Sequence, residues 1–230
     1  MKTNALLKFL VMAMIAMSVS LTACKDDDNA PAMPLYNPTD EVFSKSQEEW
    51  QVEWWQFLMS HNCTTLPTAG SEVQNGQVHF LSGRIDTYTT NVTVTSSQAI
   101  LSPIMNYIND FPCPDTSFHP APGQSLQDFL QEGAAGFIDL AKNLEVTIDG
   151  LAIPITTEYR SVTDLFYFTG NPEIPNCFDP CVTGQSQAAI SDGYWIFIKP
   201  LSKGFHCLHI AGTIPEYDLV LDGTINITVN

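Results

Sequence analysis

The sequence predicts a mainly β fold: a single β-sandwich or jelly-roll-like domain carrying two helices. Three observations predict it. Roughly seven or more short segments rich in Val, Ile, Thr and aromatic residues recur between residues 77 and 229, punctuated by Gly, Pro and Asp. Only two stretches carry helix-start signals, and strand-like and helix-like segments do not alternate as βα units would. Apolar residues make up 44% of the chain, enough to bury a core, and 230 residues suit one domain preceded by a short leader.

Taken in order, the first strong element is a helix over residues 47–60. Ser46 with Glu49 forms a capping box, and Trp50, Trp54, Phe57 and Leu58 share one face that Val52, Trp55 and Met59 widen. So broad an apolar arc predicts a helix wedged between other elements. Strands follow at 77–82, 87–95 and 99–108, the last broken only by Pro103, and then a proline-rich loop over 112–123. Ser125 with Asp128 caps a second helix reaching about residue 143, with Gly133 and Gly136 weakening its middle. Segments 144–148 and 151–155 flank Asp149-Gly150, a pair that accepts positive φ cheaply and so predicts a hairpin. Further strands are expected at 162–169, 194–199, 206–211, 219–221 and 224–229, with 200–204 as a short turn.

The N-terminus reads as an address. Lys2 and Lys8 precede an uncharged, mostly apolar run over 9–20, and small residues lead to Cys24. This predicts a signal peptide over 1–23, too short to span a bilayer. Leu21-Thr22-Ala23-Cys24 resembles the lipobox of bacterial lipoproteins, whose cysteine thiol is acylated. Lys25-Asp26-Asp27-Asp28 resembles the export signal that carries Bacteroidetes lipoproteins to the cell surface. Residues 24–40, polar and broken by Pro31, Pro34 and Pro38, are expected to form a lipidated flexible linker ahead of a β-rich domain over 41–230. A calcium role for Asp26–Asp28 lacks a preformed loop.

Several later stretches resemble an uncharacterised family of exported bacterial proteins. The family opens on E-W-x-x-x-W-W-x-W, here Glu49-Trp50-Gln51-Val52-Glu53-Trp54-Trp55-Gln56-Phe57, with Phe57 replacing the last Trp. The resemblance continues through 73–83, where His79 stands at a usual aromatic, and through 103–106, 147–150, 159–162, 191–195 and 199–206. One family cysteine, ahead of Pro103, is missing. The resemblance implies one domain over most of 43–230 and no particular activity.

Charge and cysteines narrow the chemistry. A formal net charge of −16 leaves no basic face for nucleic acid, and it argues equally against charge-driven adsorption to anionic lipid headgroups. The membrane is reached through acyl chains on Cys24. Export to an oxidising compartment makes Cys63, Cys113, Cys177, Cys181 and Cys207 candidate disulfide partners. Five is odd, so at least one is free or paired outside the chain. Cys177 and Cys181 can close on each other or reach Cys63, Cys113 or Cys207.

Cys177, Cys181, Cys207 and His209 can be drawn as a zinc tetrad, against which the oxidising compartment argues. Gly184-Gln185-Ser186-Gln187-Ala188 approaches a nucleophile elbow but lacks the strand before and helix after that the elbow requires. Trp50, Trp54 and Trp55 at helical spacing read as core before they read as a sugar platform. Tyr194 and Trp195 are the candidate ligand contacts, since neighbours on a strand face opposite ways and one of them should be exposed. No cofactor motif is present. The expectation is a lipid-anchored, surface-exposed envelope protein of the outer membrane, binding a glycan or protein ligand or serving structurally. The alternative is an exported hydrolase with dispersed acids, invisible to sequence spacing.

Overall fold

The computed structural model describes residues 33–66, 73–74, 76–83 and 85–230. The signal segment 1–23, Cys24 and Asp26–Asp28 lie outside the described residues.

Two sheets face each other. The first holds β1 (Val73–Gln74), β2 (Val78–Phe80), β4 (Ala99–Phe111), β9 (Ser186–Ile198) and β7 (Arg160–Val162) in that order, with β8 (Phe166–Thr169) also pairing with β9. The second runs β3 (Thr87–Val94), β11 (Leu219–Val229), β10 (Gly204–Ile214), β5 (Lys142–Ile148) and β6 (Leu151–Ile153). Pairing is antiparallel except where β2 meets β4 and β3 meets β11. The mainly β sandwich with two helices is therefore the fold that forms.

Side-chain alternation along β4 and β9 builds two cores from one sheet. Ile100, Ile104, Ile196 and Ile198 point between the sheets and meet Val146, Leu208, Ile210, Ile225 and Ile227. Leu101, Trp195 and Phe197 point the other way, against α1 (Gln47–Ser60). The capping box forms as predicted, Ser46 and Glu49 satisfying each other's backbone N–H. Each tryptophan of α1 is pinned by its ring N–H: Trp50 to the Val42 carbonyl at 2.7 Å, Trp54 to the Leu81 carbonyl at 2.9 Å, and Trp55 to Ser191 Oγ at 2.7 Å. All three rings are buried, as the core reading expects.

The second helix, α2 (Leu126–Ile138), ends earlier than its pattern predicts. Lys142 and Asn143 instead open β5, because pairing with β10 satisfies their backbone better than a frayed helical end. Gly133 is a packing residue: a Cβ there would sit 2.2 Å from Asn109 Nδ2, which donates to the Leu130 carbonyl of the same helix. The Asp149-Gly150 turn forms with both φ angles positive, at 51° and 79°.

Three expectations change. The linker does not stay free to residue 40. Leu35 is buried and bridges Ile198, Tyr36 N–H donates to the Phe197 carbonyl and Lys199 N–H to the Pro34 carbonyl, so the chain is docked from Pro34 onward. β9 starts at Ser186, eight residues before the expected strand, and Ser186 therefore sits on a strand with no helix after it. That removes the nucleophile elbow. The expected strand 162–169 divides into β7 and β8, both paired with β9.

Candidate cleft beside an open strand edge

The candidate site follows from a length mismatch. β4 pairs with β9 as far as Phe111, but β2 covers its other edge only over Ala99–Leu101 before the chain departs, the last bond being Leu81 N–H to the Leu101 carbonyl at 2.9 Å. Beyond Pro103, no strand among the described residues pairs with that edge. A cleft of about 990 Å³ lies along it, walled by Trp54, Trp55 and Leu58 of α1, Phe137 of α2 and Leu221 of β11. Tyr107 stacks on Phe137 with ring centroids 4.5 Å apart, and Phe137 stacks on Tyr217 at 5.4 Å. Asn106 lines the cleft with a buried Nδ2 that has no hydrogen-bond partner.

Two disulfides frame one end. Cys63–Cys177 ties the loop after α1 to residues 174–177, and Cys113–Cys181 ties the loop after β4 to the same segment. Cys177 and Cys181 thus reach outward and do not close on each other. Cys207 belongs to neither of these two bonds, and no cysteine among the described residues is a free thiol.

Between these bonds the fold joins two carboxyl groups from distant parts of the chain. Asp110, at the end of β4 and 3% exposed, hydrogen-bonds Asp179 and accepts from Gln187 Nε2. Asp179 accepts the Cys181 N–H at 2.9 Å. Burial, and then the neighbouring Asp179 charge, push Asp110 up to about 8, and burial raises Asp179 as well. Burial thus favours the protonated form of the deeper Asp110, while the backbone donor from Cys181 favours charge on Asp179. Burial also raises Tyr107, with the two carboxylates adding to it.

This has a pH signature. An acid whose folded value lies above its unfolded value of ~4 contributes stability that is complete below pH ~4 and lost as the pH rises through about 8. The melting temperature should fall between pH 5 and pH 8, by on the order of 5 °C, and Asp110→Asn should flatten that fall while keeping the hydrogen bonds. Calorimetry at both pH values measures it.

Ligand atoms of Asp110, Asp179 and Cys181 all lie within 4.8 Å of one another. They do not make a metal centre. Cys181 Sγ is already bonded to Cys113, which leaves two carboxyl groups as the remaining ligands. The zinc tetrad drawn from the sequence also dissolves: Cys177 and Cys181 are in different disulfides, and His209 Nε2 lies 2.9 Å from Asp222.

Neither candidate ligand contact reaches the cleft. Trp195 has no exposed surface and packs edge-on to Trp54 at 5.3 Å, because its strand face is the one that α1 covers. Tyr194 is half-buried against the core between the sheets. The residues that do line the site, Asn106, Asp110 and Asp179, left only one trace in the sequence, an acid inside the Cys-x-x-x-Cys segment. No family model, curated protein or solved structure matches the chain.

Proposed function

We propose that the protein is an exported, lipid-anchored binding module that receives an extended peptide segment along the open edge of β4. The carrying observation is that edge, the floor of an apolar cleft. Backbone donors and acceptors on a strand edge favour a partner in extended conformation, and flanking apolar pockets select its alternate side chains. The acidic and basic residues among the described lining are all aspartates, Asp86, Asp110, Asp115 and Asp179. With a net charge of −16, this favours a neutral or Lys/Arg-bearing ligand over an acidic one. Anchoring rests on the lipobox resemblance at Cys24, and surface display on the acidic run after it.

A peptide array probed with the mature protein tests this reading. Peptides alternating apolar with basic residues should bind, and N-methylation of alternate amides should weaken binding at least about tenfold by removing main-chain donors. Equal binding of the methylated peptides contradicts strand addition, and binding of oligosaccharides alone would turn the reading to a glycan.

One observation favours the hydrolase alternative, the pairing of two carboxyl groups, Asp110 and Asp179, in the lining of the cleft. Asp110→Asn separates the two. A binding module releases no product either as wild type or as the variant, whereas a hydrolase releases product as wild type and loses that turnover in the variant while keeping its affinity.

A further inference from the structure

The molecule has a second distinctive corner, at the opposite end of β9 from the carboxyl pair. Gln187 touches Asp110 near one end of the strand and Ile198 bridges Leu35 at the other, about 35 Å away at strand spacing. The turn after Ile198 carries Lys199, Lys203 and Phe205. At 87% exposure, Phe205 is the most exposed large apolar side chain among the described residues. Exposed Leu151 lies on the adjoining hairpin, which Asp149 fastens by accepting the Cys207 N–H at 2.8 Å and bonding His206 Nδ1 at 2.6 Å.

Charge singles out the same corner. The described residues include Lys45, Lys142, Arg160, Lys199 and Lys203 as their Lys and Arg. Lys45 pairs with Glu53, Lys142 with Glu216, and Arg160 with Asp139 and Asp192. Lys199 and Lys203 face no carboxylate within ion-pair distance among the described residues; Lys199 Nζ instead lies 5.7 Å from the Tyr36 ring centre. In a chain of net charge −16, the cations left without an acid flank its most exposed phenylalanine.

The tether arrives here too. Lys199 N–H donates to the Pro34 carbonyl at 2.7 Å, and Met33 beside it is exposed. From Cys24 to Met33 a fully stretched chain reaches only about 30 Å. An acylated Cys24 therefore keeps this corner within about 30 Å of a bilayer.

We propose that the 199–205 turn, with Leu151 and Met33, is the face this domain lays on lipid headgroups, turning the carboxyl-pair end of the cleft away from the membrane. The inference rests on the anchoring reading. The chain as a whole repels an anionic surface, but the screening length of ~8 Å lets two local lysines and an exposed aromatic ring act over the distant acids, and the one nearby acid, Asp149, is engaged by His206 and the Cys207 N–H.

The test is amide hydrogen exchange on the mature acylated protein, free in detergent and then on vesicles of phosphatidylethanolamine with phosphatidylglycerol. Exchange over 200–206 should slow at least tenfold on the vesicles while 177–181 stays unchanged. Phe205→Asp should abolish that protection, and Lys199→Glu or Lys203→Glu should each reduce it about fivefold. These exposed side chains leave folding intact, which an unchanged melting temperature would verify. Protein that fails to sediment with vesicles overturns the anchoring, and this inference with it. Protein that sediments with equal exchange at 200–206, or is indifferent to Phe205→Asp, overturns this inference alone.

Discussion

Replacing Arg160 by methionine is expected to cost the fold about 3–5 kcal/mol and roughly 10 °C in melting temperature. Asp192 is completely buried, and Arg160 grips it with two bonds, Nε to Oδ1 at 2.9 Å and Nη2 to Oδ2 at 2.6 Å. The third guanidinium nitrogen reaches Asp139 at 2.6 Å, just past the end of α2. Asp192 and the Asp139 contact both raise the Arg160 value further, with burial opposing them. Removing the arginine strands a carboxylate inside the first sheet, so the loss comes from an uncompensated charge and not from a missing attraction. The double variant Arg160→Met with Asp192→Asn should recover much of it. Thermal unfolding of the three proteins reads this directly, and a double variant no better than the single one would contradict it.

Reducing the two disulfides should have an effect of similar or larger size. They close loops with separations of 114 and 68 residues, for which loop-closure entropy alone gives about 4–5 kcal/mol each. The bonds also have a local task, fixing residues 177–181 against the end of β4. Cys113→Ser with Cys181→Ser should therefore lower the melting temperature and flatten its fall between pH 5 and pH 8, because Asp179 is no longer held against Asp110. Cys63→Ser with Cys177→Ser should lower stability and keep more of that pH slope. Unfolding with and without reductant at both pH values separates the two roles.

What the sequence could and could not disclose follows from which interactions are local. The capping box of α1 and the Asp149-Gly150 hairpin involve residues within a few positions of each other, and both form as read. The first half of β9 was hidden. Ser186, Gln187, Ser191, Asp192 and Gly193 have little strand preference, and they are strand residues because β4, β7 and β8 pair with them on both sides. Trp195 against Tyr194 was undecidable locally, since both faces of that strand are covered, one by α1 and one by the second sheet. The cleft was invisible for a related reason. It exists because β2 stops short of β4's length, and its carboxyl pair joins residues that only a disulfide and a strand end bring together.

The cleft is the centre of this account, and Gly83 offers a way to close it. This residue lines the cleft, and a Cβ built there meets only Leu221 Cδ1, at 3.9 Å. A phenylalanine at that position should therefore enter the cleft without disturbing the fold. Calorimetric titration of wild type and Gly83→Phe with the best peptide from the array is the deciding measurement. The predicted result is affinity weakened at least about tenfold with an unchanged melting temperature, the ligand's site being filled. Equal affinity in the two proteins would place the ligand elsewhere and contradict the account.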